Sequence, residues 1–107
     1  MRTVADLLKD PGWEDAETYT AGTLQKTLRD EDGAKTVILK LPAGFRMEPH
    51  SHITTEQDFI LEGSYVNDGV TYSRGFYQIY YPHEDHGPFY SEEGATVLVI
   101  WDPYPAK

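Results

Sequence analysis

Turn-forming residues recur so closely along this chain that its apolar side chains fall into short alternating segments. From Trp13 onward these segments are divided by Asp30-Glu31-Asp32-Gly33, by Pro42-Ala43-Gly44, by Asn67-Asp68-Gly69, by Gly75 and by a loop over 82–88. On an extended backbone residues two apart share a face, so Val37, Leu39 and Leu41 form one apolar side. The pattern predicts strands over 23–29, 35–41, 47–53, 57–66, 70–73, 76–81 and 95–101. Asn67-Asp68-Gly69 is expected to close a hairpin, since Asn and Gly accept positive φ. Strands this short, at this spacing, specify an all-β sandwich or barrel. Only the start of the chain reads differently. Thr3 to Lys9 is expected to form a short helix, with Thr3 as cap, Asp6 completing a weak capping box and Val4, Leu7 and Leu8 as its apolar face. Asp10-Pro11-Gly12 ends it.

Composition narrows the function. The 107 residues are expected to form one domain over 1–107, with the helix and flanking strands in 1–34 and the barrel in 35–102. Nine Lys and Arg against 18 Asp and Glu leave a net charge of −9, which repels phosphate backbones and anionic lipid, so neither nucleic acid nor membrane is an expected partner. No apolar run approaches the ~20 residues of a membrane-spanning helix. The first residues lack the apolar stretch of a signal peptide, so a cytoplasmic protein is expected. Cysteine is absent, which excludes disulfides, thiolate metal sites and a cysteine nucleophile.

The four histidines, His50, His52, His83 and His86, carry the functional reading. His50 and His52 stand at i and i+2, on one face if the segment is a strand. Glu56 follows four residues later, and a turn at Ile53-Thr54-Thr55 can aim it at the same point. Two neutral imidazoles and a carboxylate suit a borderline divalent cation. A third imidazole can come from His83 or His86, returned to the same end of the sheet by the intervening hairpin. On the same face Glu48 is expected to point inward, with Met47 and Ser51 outward. Asp58 either accepts from a ligand imidazole N–H or, with a register shift at the turn, lies exposed.

The stretch GFRMEPHSHITTEQDFILEG places Gly44, His50, His52, Glu56 and Gly63 at fixed spacings. In this it resembles the first motif of the cupin superfamily. The second cupin motif is looser here. Six residues rather than five separate Gly75 from Pro82, the middle glycine is missing, and Tyr90 replaces the terminal Asn. The series Gly63-Ser64-Tyr65, Gly75-Phe76-Tyr77, Pro82 and His86-Gly87-Pro88-Phe89 is similar to cupins of the type found as the metal-binding domain of the ChrR anti-sigma factor. The resemblance spans roughly residues 35 to 102. It implies a double-stranded β-helix, or jelly-roll barrel, holding one metal through His50, His52, Glu56 and His86, with His83 a loop residue near the mouth.

Four protein ligands leave two positions on an octahedral ion for water, a chelating substrate, or substrate and O₂. Fe(II) or Zn is the expected ion, with Mn, Ni or Co also suited to the donor set. The resemblance implies a small-molecule enzyme such as a non-haem dioxygenase, or alternatively a non-catalytic metal-bound ligand or stress sensor. It assigns no catalytic residue beyond the ligands. Some of Tyr65, Tyr72, Tyr77, Tyr80, Tyr81 and Tyr90 are expected along the cavity. Phe59, Leu61, Leu98, Ile100 and Trp101 are expected in the core or a subunit contact. Arg46 and Arg74 are expected in solvated ion pairs, or else against an anionic substrate. A chain of this length buries about 65% of its unfolded surface, and with the resemblance this points to a homodimer.

Overall fold

A computed structural model describes residues 4–9 and 12–103. Among them lie nine strands and no helix: β1 Glu14–Asp15, β2 Leu24–Glu31, β3 Ala34–Leu41, β4 Phe45–Met47, β5 Glu56–Asn67, β6 Val70–Ser73, β7 Tyr77–Tyr80, β8 Phe89–Ser91 and β9 Ala95–Trp101. Every strand pairing is antiparallel. One run of the sheet is ordered β1-β2-β3-β9-β5, with β7 also on β5, and β5 continues into a second run with β6, β8 and β4. The sheet thus curls into a jelly roll, as expected.

Local chemistry explains the hairpins. Asp32 and Gly33 take φ of 51° and 83°, and Asp68 and Gly69 take 49° and 81°. Two successive positive φ values match the right-handed twist of the flanking strands. The sheet is amphipathic in the simplest way. Val37, Leu39 and Leu41 on β3, Val97 and Val99 on β9, and Ile60 on β5 point inward and pack with Phe45, Tyr65 and Phe89.

β5 is the spine of the fold. Its first half pairs with β9 and β7, its second half with β6 and β8, and the register against β9 shifts between Ile60 and Glu62. Gly63 sits at the bend with φ of +74°, and a Cβ there would stand 2.3 Å from the Gly94 carbonyl oxygen. The strand therefore crosses from one run to the other without ending, which only glycine permits at that approach.

Three expectations are corrected. The N-terminal helix does not form within the described part of 3–9. Leu7 to Lys9 make a turn in which Asp6 Oδ1 accepts from the Leu8 N–H. Val4 and Leu8 are exposed, so no packed face offsets the cost of nucleating so short a helix. Thr3, Asp10 and Pro11 lie outside the described residues, as does the chain from 104 on. The strand expected over 47–53 ends at Met47 and leaves only a single bridge, His50 to His86. Pro49 has no N–H to give a ladder, and the alternation slips by one residue there. Met47 therefore lines the interior with Phe45 while Glu48 is exposed, the reverse of the expected parity. β1 and β8, of two and three residues, carried no strand signal. Among the described residues no helix is long and apolar enough to cross a membrane.

Candidate metal centre

The His50 segment and the His86 loop are held together by their backbones. His50 N–H donates to the His86 carbonyl at 3.0 Å, and His86 N–H donates back to His50 at 2.8 Å. A third bond joins the His83 N–H to the His52 carbonyl at 2.8 Å. Through these bonds a loop thirty residues away in sequence brings His86 beside the His-x-His pair. The ring nitrogens of His50, His52 and His86 lie within 4.8 Å of one another. His83 is exposed, with φ of 67°, and its ring takes no part.

Glu56, the first residue of β5, lies beside the three imidazoles but meets only His52 at short range. Its Oε1 is 3.0 Å from His52 Nε2 and accepts from Trp101 Nε1 at 2.9 Å. His50 Nδ1 donates to the Glu48 carbonyl at 3.0 Å, which turns the lone pair of Nε2 toward His86 Nε2, also 3.0 Å away. Two imidazole lone pairs at that separation repel unless a proton or a cation lies between them. Ligands at right angles on a cation with bonds of about 2.1 Å stand about 3.0 Å apart. Both short contacts, His50–His86 and His52–Glu56, have that length. The donor set fits a borderline divalent ion of the N/O class.

The titratable groups of the cluster are shifted in different directions. The hydrogen bond to Glu56 raises the His52 pKa, against the opposing effect of burial. Burial works to raise Glu56, but the bond from His52, the neighbouring Asp58 and the nearby imidazoles hold it below the usual carboxylate value. Burial lowers His86, favouring the neutral ring that ligates metal. Asp58, only 5% exposed, is pushed well above the ordinary range, first by burial and then by the Glu56 charge. It therefore carries the proton of the Glu56–Asp58 pair. Its Oδ2 accepts from the Tyr65 hydroxyl at 3.4 Å, not from an imidazole, its Oδ1 has no hydrogen-bond partner, and it is buried, not exposed.

A cavity of ≈ 50 Å³ opens on the cluster, walled by Leu39, Leu41, Val97 and Val99, with Tyr19, Tyr65 and Trp101 among its aromatic lining. Water needs about 10–15 Å³ on this measure, so the space suits an ion, a few waters or a small ligand. Burial pushes the Tyr19 phenol up to about 12 and raises Tyr65 further. Both are neutral hydroxyls at physiological pH. Tyr77 and Tyr81 are exposed. Arg46 stacks on Tyr90, 4.7 Å from its ring centre, so it faces no cavity ligand. Tyr19 and Trp101, like Met47, line the cavity without a signal in the sequence. Tyr19 stands outside every motif, and Trp101 reads as one more apolar residue of β9.

The family described as ChrR Cupin-like domain matches residues 5–105. Comparison with curated protein sequences gave no match. A solved structure of Rhodobacter sphaeroides SigE in complex with the anti-sigma ChrR contains a chain with TM-score 0.71 and 22% identity, over 89% of this chain and 51% of that one. The present chain thus spans about half of that protein. An RmlC-like cupin from Shewanella frigidimarina gives TM-score 0.71 and 19% identity, over 88% and 92%. An acetylacetone dioxygenase from Acinetobacter johnsonii gives TM-score 0.74 and 18% identity, over 94% and 76%. At these identities the likeness is one of fold.

Proposed function

The chain belongs to the ChrR cupin-like family, and from that premise we propose that it binds one divalent metal ion through His50, His52, Glu56 and His86 to act on a small chelating molecule. The observation that carries this is the convergence of three imidazoles within 4.8 Å at a cavity of ≈ 50 Å³ with apolar walls. Such an ion would supply Lewis acidity or, as Fe(II), O₂ chemistry. The protein's own groups hold the ligands in place. Trp101 fixes Glu56 by a hydrogen bond, the Glu48 carbonyl sets the His50 tautomer, and Leu39, Leu41, Val97 and Val99 exclude bulk water. The cavity size favours a substrate of a few heavy atoms, and the fold shared with an acetylacetone dioxygenase makes a small β-diketone the first class to try. We propose further that it works in the cytoplasm and as a homodimer, the pairing supported by the exposed Tyr77 and Ile79 on β7 and Tyr81 just after it.

The test loads tag-free protein with substoichiometric Fe(II) anaerobically and follows O₂ consumption with β-diketones, thiols and catechols. Uptake above a His52→Ala control is expected. Tightly held zinc with no uptake on any of them overturns the enzyme. The family match and the SigE–ChrR similarity favour in that case a second reading, a metal-bound ligand or stress sensor without turnover. A chain indifferent to chelator and metal overturns both.

A further inference from the structure

Polar groups outside the ligand set form one continuous hydrogen-bonded chain behind the cluster. The Gly87 N–H donates to Asn67 Oδ1 at 2.8 Å, and Asn67 Nδ2 donates to Gln78 Oε1 at 3.0 Å. Gln78 Nε2 donates to the Tyr65 hydroxyl at 3.1 Å, which donates to Asp58 Oδ2 at 3.4 Å. Every link points the same way, so each bond polarises the next. One end is the peptide that follows His86. The other is the carboxyl beside Glu56. A side branch runs from Asn67 Nδ2 to the Tyr80 hydroxyl at 2.8 Å, and the Tyr80 ring lies 4.3 Å from that of His86.

Gln78 is the middle of this chain. It sits opposite Asp58 in the β5–β7 pairing, and its hydrogen bonds go to Tyr65, Asn67 and Tyr80 rather than to any of the four ligands. A primary amide can accept on one side while donating on the other, which this place requires. We propose that Gln78 is a positioning residue for the metal site, acting on His86 through Asn67 and Tyr80 and on the Glu56 side through Tyr65 and Asp58. This rests on the ligand set proposed above.

The test compares Gln78→Met, which removes both ends at similar length, with Gln78→Glu, which keeps the acceptor toward Asn67 and Tyr80 but loses the donor to Tyr65. Co(II) affinity is measured by chelator competition, the site geometry by the visible spectrum of the Co(II) protein, and the His86 ring by ¹⁵N NMR without metal. Loss of an outer partner of a metal ligand weakens binding about 10–100-fold. Gln78→Met is expected in that range, with shifted Co(II) bands and displaced His86 ring resonances but a urea midpoint for the metal-free chain near that of the wild type. Gln78→Glu is expected to weaken binding with smaller shifts at His86, and it carries the test alone if the methionine variant does not fold. Affinity within twofold of the wild type, with the same bands and the same His86 resonances, overturns the proposal. A wild-type chain that takes up no Co(II) refutes the ligand set instead, and the His86 resonances then decide the positioning role by themselves.

Discussion

Two motif glycines share a backbone conformation but not an environment, and alanine at each separates the two reasons for a glycine. Gly44 and Gly63 have φ of +81° and +74°. An L-residue in that region loses about 1–2 kcal/mol, partly offset by the ~0.4–1 kcal/mol that alanine removes from unfolded-chain entropy. Around Gly44 a Cβ meets nothing within 4 Å, so Gly44→Ala should lose only about 1 kcal/mol, or about 4–8 °C in Tm at this size. At Gly63 a Cβ would lie 2.3 Å from the Gly94 carbonyl oxygen and 2.9 Å from the Ala95 Cα. Both are backbone atoms and cannot swing aside, so overpacking adds about 1–3 kcal/mol or more. Gly63→Ala should therefore lose at least twice as much as Gly44→Ala. The forced shift also separates β5 from β9 at Gly63↔Ala95, seven residues up the same ladder from Glu56↔Trp101, so metal affinity should fall in the Gly63 variant alone. Urea unfolding of both variants, with Co(II) titration, is the assay. Equal midpoints at unchanged m-value would refute the claim that the bend is a close backbone contact.

Asp58→Asn should stabilise the metal-free chain at neutral pH. A carboxyl whose folded pKa is raised binds more protons folded than unfolded, so above its unfolded value stability falls as pH rises. The amide removes that loss, and the gain over wild type should vanish near pH 4; a gain that persists in acid contradicts it. Metal affinity should drop on acidification from a pH above the usual imidazole range, because the raised His52 pKa lets protons compete early. A titration of Co(II) affinity from pH 5 to 8 checks this, and an onset below pH 6 speaks against it. Trp101→Phe removes the Nε1 donor to the buried Glu56 carboxylate, a hydrogen bond to a charge worth about 1.5–3 kcal/mol. The metal-free variant should unfold at lower urea by that amount, and an unchanged midpoint would show that water or another donor replaces the indole.

Much of this protein is written locally. Alternation marked β2, β3, β5, β6 and β9, and turn residues marked the breaks at 30–33 and 67–69, although the positive φ at the second falls on Asp68 and Gly69 rather than on Asn67. The ligand spacing was equally readable, since His50, His52 and Glu56 lie within seven residues. Where the expectation failed, a distant partner was missing or present. Val4, Leu7 and Leu8 have helical spacing, yet Val4 and Leu8 stay exposed and only Leu7 is partly covered. The His50 segment loses its strand to Pro49 yet keeps its histidines together, because the bridge to His86 holds the backbone that a ladder would have held.

By itself, then, the sequence determined the all-β class, the turns and the close spacing of His50, His52 and Glu56, each of which follows from intrinsic backbone preference or from the order of residues. The family resemblance already pointed to His86 rather than His83, and the tertiary structure brought that ring beside the His-x-His pair; it alone turned Met47 inward and Glu48 outward, and buried Asp58 beside Glu56. It also brought Tyr19 and Trp101 to the cavity and joined Gln78 to both sides of the site. Those outcomes depend on which strand lies next to which, and cross-strand distance has no counterpart in the linear order of residues.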